Sequence, residues 1–156
     1  MCKVLISMLA GGMLIISPPA FAQSMDAKAA CNKDGVAWMT AYNKGDAETI
    51  ANAYDPKSGT FSSLFWTATG HDALLAGYQK EMSQGVKITS IVCDHANQSG
   101  SMIVTDGAWT SKGNGPDGKE TTFQGHWMAV SEIRNGKPVE LTSVTNMDML
   151  PPSPPK

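Results

Sequence analysis

Residues 120–146, ETTFQGHWMAVSEIRNGKPVELTSVTN, contain the clearest fold signal in the chain. Asn135-Gly136 is the strongest short signal for a two-residue hairpin turn, because both positions of that turn need a positive φ. The residues on either side are rich in Thr, Val, Ile and aromatic side chains, which favour strands. The segment therefore predicts two antiparallel strands, Glu120–Ile133 and Val139–Asn146, joined by a tight turn.

Two more strand-like segments, Val86–Ala96 and Met102–Ser111, precede this hairpin. Turn residues separate them, Gln98-Ser99-Gly100 after the first and the glycine-rich run 113–118 after the second. Four consecutive strands with short connections predict an antiparallel meander. The run 113–118 also fits the pattern G-x-G-x-x-G. Because it lies between strands and no helix follows it, it predicts a hairpin loop and not a phosphate-binding site.

The N-terminal half shows helical patterns instead. A first helix is expected over Ser24–Lys44, with Ser24 as its cap, and Asp46 caps a second, short helix. A short strand is expected over 59–67. Thr69-Gly70-His71-Asp72 has the form of a capping box that opens a third helix, which Gly85 ends. Helices followed by an antiparallel sheet predict an α+β fold with the helices packed on one face of the sheet.

The first 22 residues have the three parts of a cleavable signal peptide. A short basic segment ending at Lys3 precedes the apolar run Val4–Ile16, and Ala20-Phe21-Ala22 forms a small-x-small cleavage site. The apolar run is shorter than the roughly 20 residues needed to span a membrane. The sequence therefore predicts cleavage after Ala22 and a periplasmic or secreted mature protein that is not held in a membrane.

The mature chain is expected to form one domain over 23–150, followed by a disordered proline-rich tail, 151–156. It holds all 14 acidic residues and 11 of the 12 basic ones, so its net charge is 11 − 14 = −3. Lys and Arg form no cluster along the chain. Nucleic acid is therefore not an expected partner, because its recognition needs a basic surface.

Two cysteines remain in the mature chain, Cys31 and Cys93. An even count in an exported protein suggests a disulfide between them. Two separate buried thiols are the alternative. The histidines His71, His95 and His126 have no close-spaced partner of the kind that zinc sites use. The sequence therefore predicts neither a metal site nor a cofactor.

Several short motifs resemble one protein family. Asn43-Lys44-Gly45-Asp46, Gly70-His71-Asp72-Ala73-Leu74 and the hairpin Asn135–Asn146 are similar, in order and spacing, to motifs of the nuclear-transport-factor-2-like superfamily, especially its SnoaL-like branch. The resemblance implies three helices packed on a strongly curved sheet, a cone with an internal pocket, and commonly a dimer. It implies no single activity, since this fold hosts isomerases, dehydratases, cyclases and binding proteins.

The hairpin turns also predict which side chains share a sheet face. If the loop 113–118 is centred near Gly115-Pro116, Asp106 lies opposite His126. A carboxylate beside an imidazole can fix its tautomer and raise its basicity, so this pair is a candidate for acid–base catalysis. A structural pair at a polar end of the core is the alternative. A one-residue slip in the loop would place the two residues on opposite faces.

The face that carries this pair combines apolar side chains with a few polar ones, which is the composition of a ligand pocket. The opposite face, with Trp109, Phe123 and Trp127, is expected to form a dimer interface. An exchange of the two faces, with these aromatics beneath the helices, is the alternative. The residues expected to line the pocket, on the sheet and on the helices, are Val104, Gln124, Met128, Val130, Leu141, Ser143, Thr145, Tyr54 and Trp38.

Three functions fit these patterns. The first is an exported protein that binds a small, largely apolar molecule in the cone. The second is a cofactor-free acid–base enzyme, of the isomerase, dehydratase or cyclase type, that uses Asp106 and His126. The third is a non-catalytic, dimeric interaction module whose pocket is filled by its own side chains. A turnover that depends on His126 would separate the second function from the first.

Overall fold

The three expected helices are present, but the first begins at Ala20, so the predicted cap Ser24 lies inside it. The computed structural model describes residues 20–115 and 117–148, so most of the predicted signal peptide and the tail 151–156 lie outside the described residues. α1 is Ala20–Lys44, α2 is Ala47–Ala51 and α3 is His71–Met82.

Local contacts explain where these helices begin and end. α1 ends before Gly45, whose φ of 78° is accessible mainly to glycine. The Asp46 carboxylate caps α2 by accepting the backbone N–H of Thr49 at 3.0 Å. No side chain caps α3, which follows Gly70, so the predicted capping box is not formed. The reason is that Thr69 belongs to a strand and lies one residue before the helix cap.

Six strands form one mixed sheet in the order β2-β1-β6-β5-β4-β3. The meander β3 to β6 is antiparallel, as predicted, but β1 pairs with β6 in parallel. The single strand predicted over 59–67 is a hairpin of two short strands. The predicted α+β class is confirmed, while the strong curvature of the sheet stays a prediction. The strands are β1 Thr60–Ser62, β2 Thr67–Thr69, β3 Lys87–Ser99, β4 Met102–Asn114, β5 Glu120–Arg134 and β6 Lys137–Thr145.

The strand register differs from the prediction in two places. The β4–β5 ladder continues to the pair Asn114–Glu120, so its turn is centred on residue 117 and every pair shifts by two residues. The Asn135-Gly136 hairpin has the predicted register as far as the pair Ser131–Glu140. The next pair is Val130–Thr142, which leaves Leu141 as an extra, unpaired residue. Such a bulge reverses the faces of the residues that follow it.

The two sides of the sheet can now be assigned. The inner side faces the helices, because Cys93 bonds to Cys31 of α1 and Phe61 packs against Tyr78 of α3. Trp109, Phe123 and Trp127 lie on this inner side, since they share its register with Cys93. The predicted dimer face is therefore the inner side, and the exchanged arrangement is the correct one. The opposite, outer side carries exposed apolar residues, which are Val92, Met102, Val104, Met128 and Val144.

Two inner tryptophans each face a glycine on the neighbouring strand. The indole N–H of each crosses above that glycine and donates a hydrogen bond to a backbone carbonyl on its far side. Trp127 is opposite Gly107, and its indole N–H donates to the Val92 carbonyl at 3.2 Å. Trp109 is opposite Gly125, and its indole N–H donates to the Asn146 carbonyl at 3.1 Å. A Cβ at Gly107 would lie 1.8 Å from that Val92 carbonyl oxygen. Only glycine permits this close approach.

The predicted disulfide is confirmed, joining Cys31 of α1 to Cys93 of β3. It attaches the helix to the edge strand of the sheet, where Ala27, Ala96 and Trp127 pack around it. At the other end of α1, the Asn43 amide bonds to both backbone groups of Ile88, at 2.7 and 2.9 Å. α1 is thus fixed to β3 at two points. Among the described residues, none of the helices has the length and apolar character that crossing a bilayer requires.

We expect reduction of the Cys31–Cys93 bond to lower the free energy of unfolding. The bond joins residues 62 apart in sequence, a separation that corresponds to about 4 kcal/mol in the chain-entropy account. The measurement is urea unfolding of the exported protein with and without reductant. The variant Cys31→Ser/Cys93→Ser should match the reduced protein and be unaffected by reductant. Equal midpoints for the oxidised and reduced forms would contradict the expectation.

Candidate functional site

A chain of three hydroxyl groups lies between the helices and the sheet. The Tyr54 hydroxyl is hydrogen-bonded to the Tyr78 hydroxyl at 2.9 Å and to the Ser143 hydroxyl at 2.6 Å. Tyr54 follows α2, Tyr78 lies on α3 and Ser143 lies on β6, so three elements meet here. We call Tyr54, Tyr78 and Ser143 the hydroxyl cluster. Both tyrosines are buried, whereas Ser143 is partly exposed.

Glu140 lies beside this cluster. Its backbone N–H donates to the Ala53 carbonyl at 2.9 Å, and its carbonyl accepts the N–H of Asp55 at 2.8 Å. These two bonds place Tyr54 next to β6. Burial raises the pKa of the Glu140 carboxyl, and hydrogen bonds with the Ser143 and Tyr54 hydroxyls only partly offset that rise. The carboxyl therefore keeps its proton to a higher pH than an exposed glutamate does.

The tyrosines of the cluster stay neutral. Burial raises the pKa of both Tyr54 and Tyr78 well above the usual value, and a negative charge on Glu140 raises them further. Neutral phenols are hydrogen-bond donors as well as acceptors. Three hydroxyls joined by two hydrogen bonds have three protons, and the remaining proton can be donated to the Glu140 carboxyl or to another oxygen atom that competes with it. The arrangement can therefore donate a hydrogen bond to an oxygen atom.

Aromatic side chains surround the Tyr78 ring. The ring centroids of Trp66 and Phe61 lie 5.1 and 5.3 Å from it, and that of Trp38 lies 6.3 Å away. Edge and tilted contacts of this kind stabilise aromatic clusters. The Glu81 carboxylate accepts the Trp66 indole N–H at 2.6 Å. The rings of Trp38, Phe61 and Trp66 therefore form an apolar surface beside the hydroxyl cluster, which we call the aromatic wall.

The Glu81 carboxylate accepts a second hydrogen bond, which connects these aromatic side chains to α1. The Tyr42 hydroxyl donates to the Glu81 carboxylate at 2.9 Å, and Tyr42 also stacks on Trp38. Burial, with the nearby charge of Glu81, raises the pKa of Tyr42 far above the usual value. Tyr42 is therefore a permanent donor in this contact. The bond holds α1 against α3 and fixes the positions of the aromatic side chains.

The predicted contact between Asp106 and His126 is not formed. Asp106 is opposite Met128, because of the two-residue shift in register, and its carboxylate bonds to Nδ1 of His95 at 2.8 Å. The His126 imidazole lies 4.0 Å from the Asp148 carboxylate instead. Asp106 and His126 lie on the outer side, away from the hydroxyl cluster. Because the two side chains are not in contact, the structure does not support their predicted role as an acid–base pair.

The residues predicted to line the pocket lie on both sides of the sheet. Tyr54, Trp38 and Ser143 lie between the helices and the sheet, and Thr145 shares the inner face with Ser143. The other four sheet residues lie on the outer side, and Leu141 is the bulge residue. Ser143 and Thr145 are on the inner face only because of that bulge. The four outer residues are Val104, Gln124, Met128 and Val130.

Sequence reasoning missed two members of the site, Tyr78 and Glu140. No motif marks Tyr78, which with Leu74 forms the buried side of α3, and its hydroxyl is the polar end of that side. A glutamate within a strand of mostly apolar and hydroxyl residues was the signal that could have identified Glu140. Within residues 20–115 and 117–148, no three His, Cys, Asp or Glu side chains converge as metal ligands do.

Comparisons with known proteins agree with this architecture. The SnoaL-like domain matches residues 36–141. A ketosteroid isomerase-like protein from Erwinia carotovora atroseptica has 16% identity and a TM-score of 0.67, over 80% of this chain and 96% of that one. A nuclear transport factor 2-like superfamily protein from Salmonella enterica has 14% identity and a TM-score of 0.64, over 81% and 94%.

A protein of unknown function from Mycobacterium tuberculosis has 14% identity and a TM-score of 0.68, over 85% of this chain and 78% of that one. No curated protein matches the chain at the level of sequence. At such low identities the solved structures show the fold alone. The domain match covers more than half of the sequence, and the chain therefore belongs to the SnoaL-like domain family.

Proposed function

We propose that this protein binds a small, largely apolar molecule that presents a hydroxyl or carbonyl oxygen to the hydroxyl cluster. The observation that carries the proposal is the chain of hydrogen bonds from Tyr78 through Tyr54 to Ser143, beside the carboxyl of Glu140. A ligand would approach through Ser143, which is the partly exposed member of the cluster. A few polar groups in apolar surroundings are what orient a small ligand in a pocket.

The location proposed for this function is outside the cytoplasm. The disulfide between Cys31 and Cys93 supports it, because such bonds persist in oxidising compartments. The signal peptide predicted over residues 1–22 supports it independently. We propose that the mature protein works in the periplasm or outside the cell.

Removing the Ser143 hydroxyl should weaken ligand binding. Nile red, a neutral aromatic ketone, is a suitable probe, and its fluorescence reports transfer from water to an apolar site. We expect Ser143→Ala to weaken its binding about three- to tenfold, since a neutral hydrogen bond contributes roughly 0.5–1.5 kcal/mol. Native mass spectrometry of protein isolated from its own cells should also show a retained molecule that Ser143→Ala loses.

The matched control is Thr142→Ala. Thr142 precedes Ser143 on β6, but its exposed side chain shares the outer side with Val130. The control should bind Nile red and retain the natural molecule as the unaltered protein does. Equal effects of the two substitutions, or no binding to the unaltered protein, would contradict the proposed site.

An acid–base enzyme is the second candidate function, and Glu140 favours it. A carboxyl whose pKa is raised by burial, next to hydroxyl donors, is typical of groups that exchange a proton with a substrate. One solved structure with the same fold is described as ketosteroid isomerase-like. The base would be Glu140, and the hydroxyl cluster would stabilise the oxygen of an enolisable ketone. Asp106 and His126 lie on the side of the sheet opposite to this cluster and therefore cannot take part.

If Glu140 acts as a base, catalysis should appear as pH rises. Its carboxyl accepts a proton only when ionised, so the rate should increase through a pKa above that of an ordinary glutamate. The measurement is deuterium incorporation at the α-carbon of a simple ketone in D₂O, followed by NMR. Glu140→Gln should lower the rate at least about a hundredfold, whereas the exposed Glu120→Gln should not. An unchanged rate in Glu140→Gln would exclude this role.

We also propose that two copies associate through the outer side of the sheet. The apolar residues there are exposed without a cover, and Met128, near the centre of the patch, is 46% exposed. Val104 and Val144 lie on the two neighbouring strands. Met128 and Val144 are directly opposite each other, and exposed apolar neighbours of this kind are typical of an interface. The homodimer thus stays a prediction, but its interface, which was expected on the side of Trp109 and Trp127, is now proposed on the opposite side.

Met128→Lys should convert the dimer to a monomer. Association would bury an unpaired ammonium group, at a cost that exceeds what one apolar contact contributes. Sedimentation velocity at micromolar concentration measures the change. Val36→Lys, at an exposed apolar position on α1, is the control and should remain dimeric. A monomeric unaltered protein would refute the interface.

A further inference from the structure

A second exposed apolar feature lies at the turn between β1 and β2. Leu64 and Phe65 stand next to each other in this turn, and each is 73% exposed. The surrounding segment, residues 58–70, has no charged residue. Single exposed apolar residues are common on protein surfaces. Two large neighbours, at the end of an uncharged hairpin, form a defined feature, which we call the apolar tip.

The backbone of the apolar tip is hydrogen-bonded within the turn. The Ser63 hydroxyl accepts the backbone N–H groups of Phe65 and Trp66, both at 3.2 Å. The backbone N–H of Ser63 donates to the Trp66 carbonyl at 2.9 Å. These contacts hold Leu64 and Phe65 outward and occupy polar groups that would otherwise need water.

The hydroxyl groups of the same hairpin also pair with one another. Ser62 bonds to Thr67 at 2.9 Å, and Thr60 bonds to Thr69 at 3.0 Å. Each pair joins directly opposite residues of β1 and β2. The hairpin therefore presents few unsatisfied polar groups beside its apolar tip.

Trp66 anchors the tip from behind. Its indole lies 4.5 Å from the Phe61 ring, and its N–H donates to the Glu81 carboxylate at 2.6 Å. It also fills the space above Gly77, where a Cβ would come within 2.4 Å of the indole ring. Trp66 thus fixes the base of the turn, and Leu64 and Phe65 lie exposed beyond it.

Against the expectation of a mature protein without a membrane partner, we propose that the apolar tip inserts Leu64 and Phe65 into the surface of a phospholipid membrane. A segment that leaves water gains from internal hydrogen bonds to its backbone, and the Ser63 hydroxyl supplies them for the N–H groups of Phe65 and Trp66. A lipid surface also needs no matching pocket, so two apolar side chains without polar specificity groups suit it better than they suit a protein partner. Lys and Arg form no cluster in the chain, so attraction to anionic lipid is not required.

The test is partition of the exported, processed protein onto phosphatidylcholine vesicles, measured by cosedimentation. We expect weak, reversible binding that changes little with salt. Phe65→Ser and Leu64→Ser should each weaken partition about tenfold, the effect of removing one large buried apolar side chain. The control is Val36→Ser, which removes an apolar side chain that is 53% exposed on α1 and should leave partition unchanged.

Each outcome of this test decides the proposal. Loss of partition in both tip variants but not in the control supports it, provided that the near-UV circular dichroism of all proteins is the same. Exposed side chains can be replaced without loss of fold, so the variants should meet this condition. Absence of partition by the unaltered protein would overturn the proposal and indicate a protein partner for the tip. An equal loss in Val36→Ser, or binding only to anionic vesicles at low salt, would overturn it as well.

Discussion

One unpaired residue in β6, Leu141, determines which side chains meet between the helices and the sheet. Side chains alternate between the faces of a strand, so an extra residue reverses every position after it. The bulge places Ser143 on the inner side, where it bonds to Tyr54. β1 pairs with β6 beyond the bulge, and this brings Phe61 opposite Ser143. The hydroxyl cluster and the aromatic wall therefore both depend on this irregularity.

The chain before β1 is fixed to the same part of the sheet. Ala53 and Asp55 bond to the two backbone groups of Glu140, which holds the intervening Tyr54 against β6. The guanidinium of Arg134, at the end of β5, bonds to the Asp55 carboxylate and keeps the pKa of that carboxyl well below its usual value. The exit from α2, the end of β5 and the start of β6 thus form one rigid unit. A site built on such a unit is positioned before any ligand arrives.

Features with a local signal could be predicted from the sequence. The Asp46 cap, the Asn135-Gly136 turn and the Cys31–Cys93 pair each depend on a few residues and a known chemistry. The pairing across the strands could not be predicted, because it depends on the length of one loop and on the bulge at Leu141, for which no residue type is diagnostic. Which side of the sheet packs on the helices could not be predicted either, because both sides carry apolar residues, and the helices pack on the side of Trp109 and Trp127. Asp106, His126 and four of the nine predicted pocket residues therefore lie on the outer side.

The protonation states of the cluster bear on the choice between binding and catalysis. Burial keeps the phenols of Tyr54 and Tyr78 protonated, so both remain hydrogen-bond donors at all physiological pH values. Burial opposes ionisation of the Glu140 carboxyl as well. A ligand oxygen can accept a hydrogen bond while these groups keep their protons, whereas a proton-abstraction reaction needs the carboxyl in the ionised form that burial disfavours. The electrostatics of the site therefore favour holding an oxygen over removing a proton, unless a bound substrate itself stabilises the ionised carboxyl.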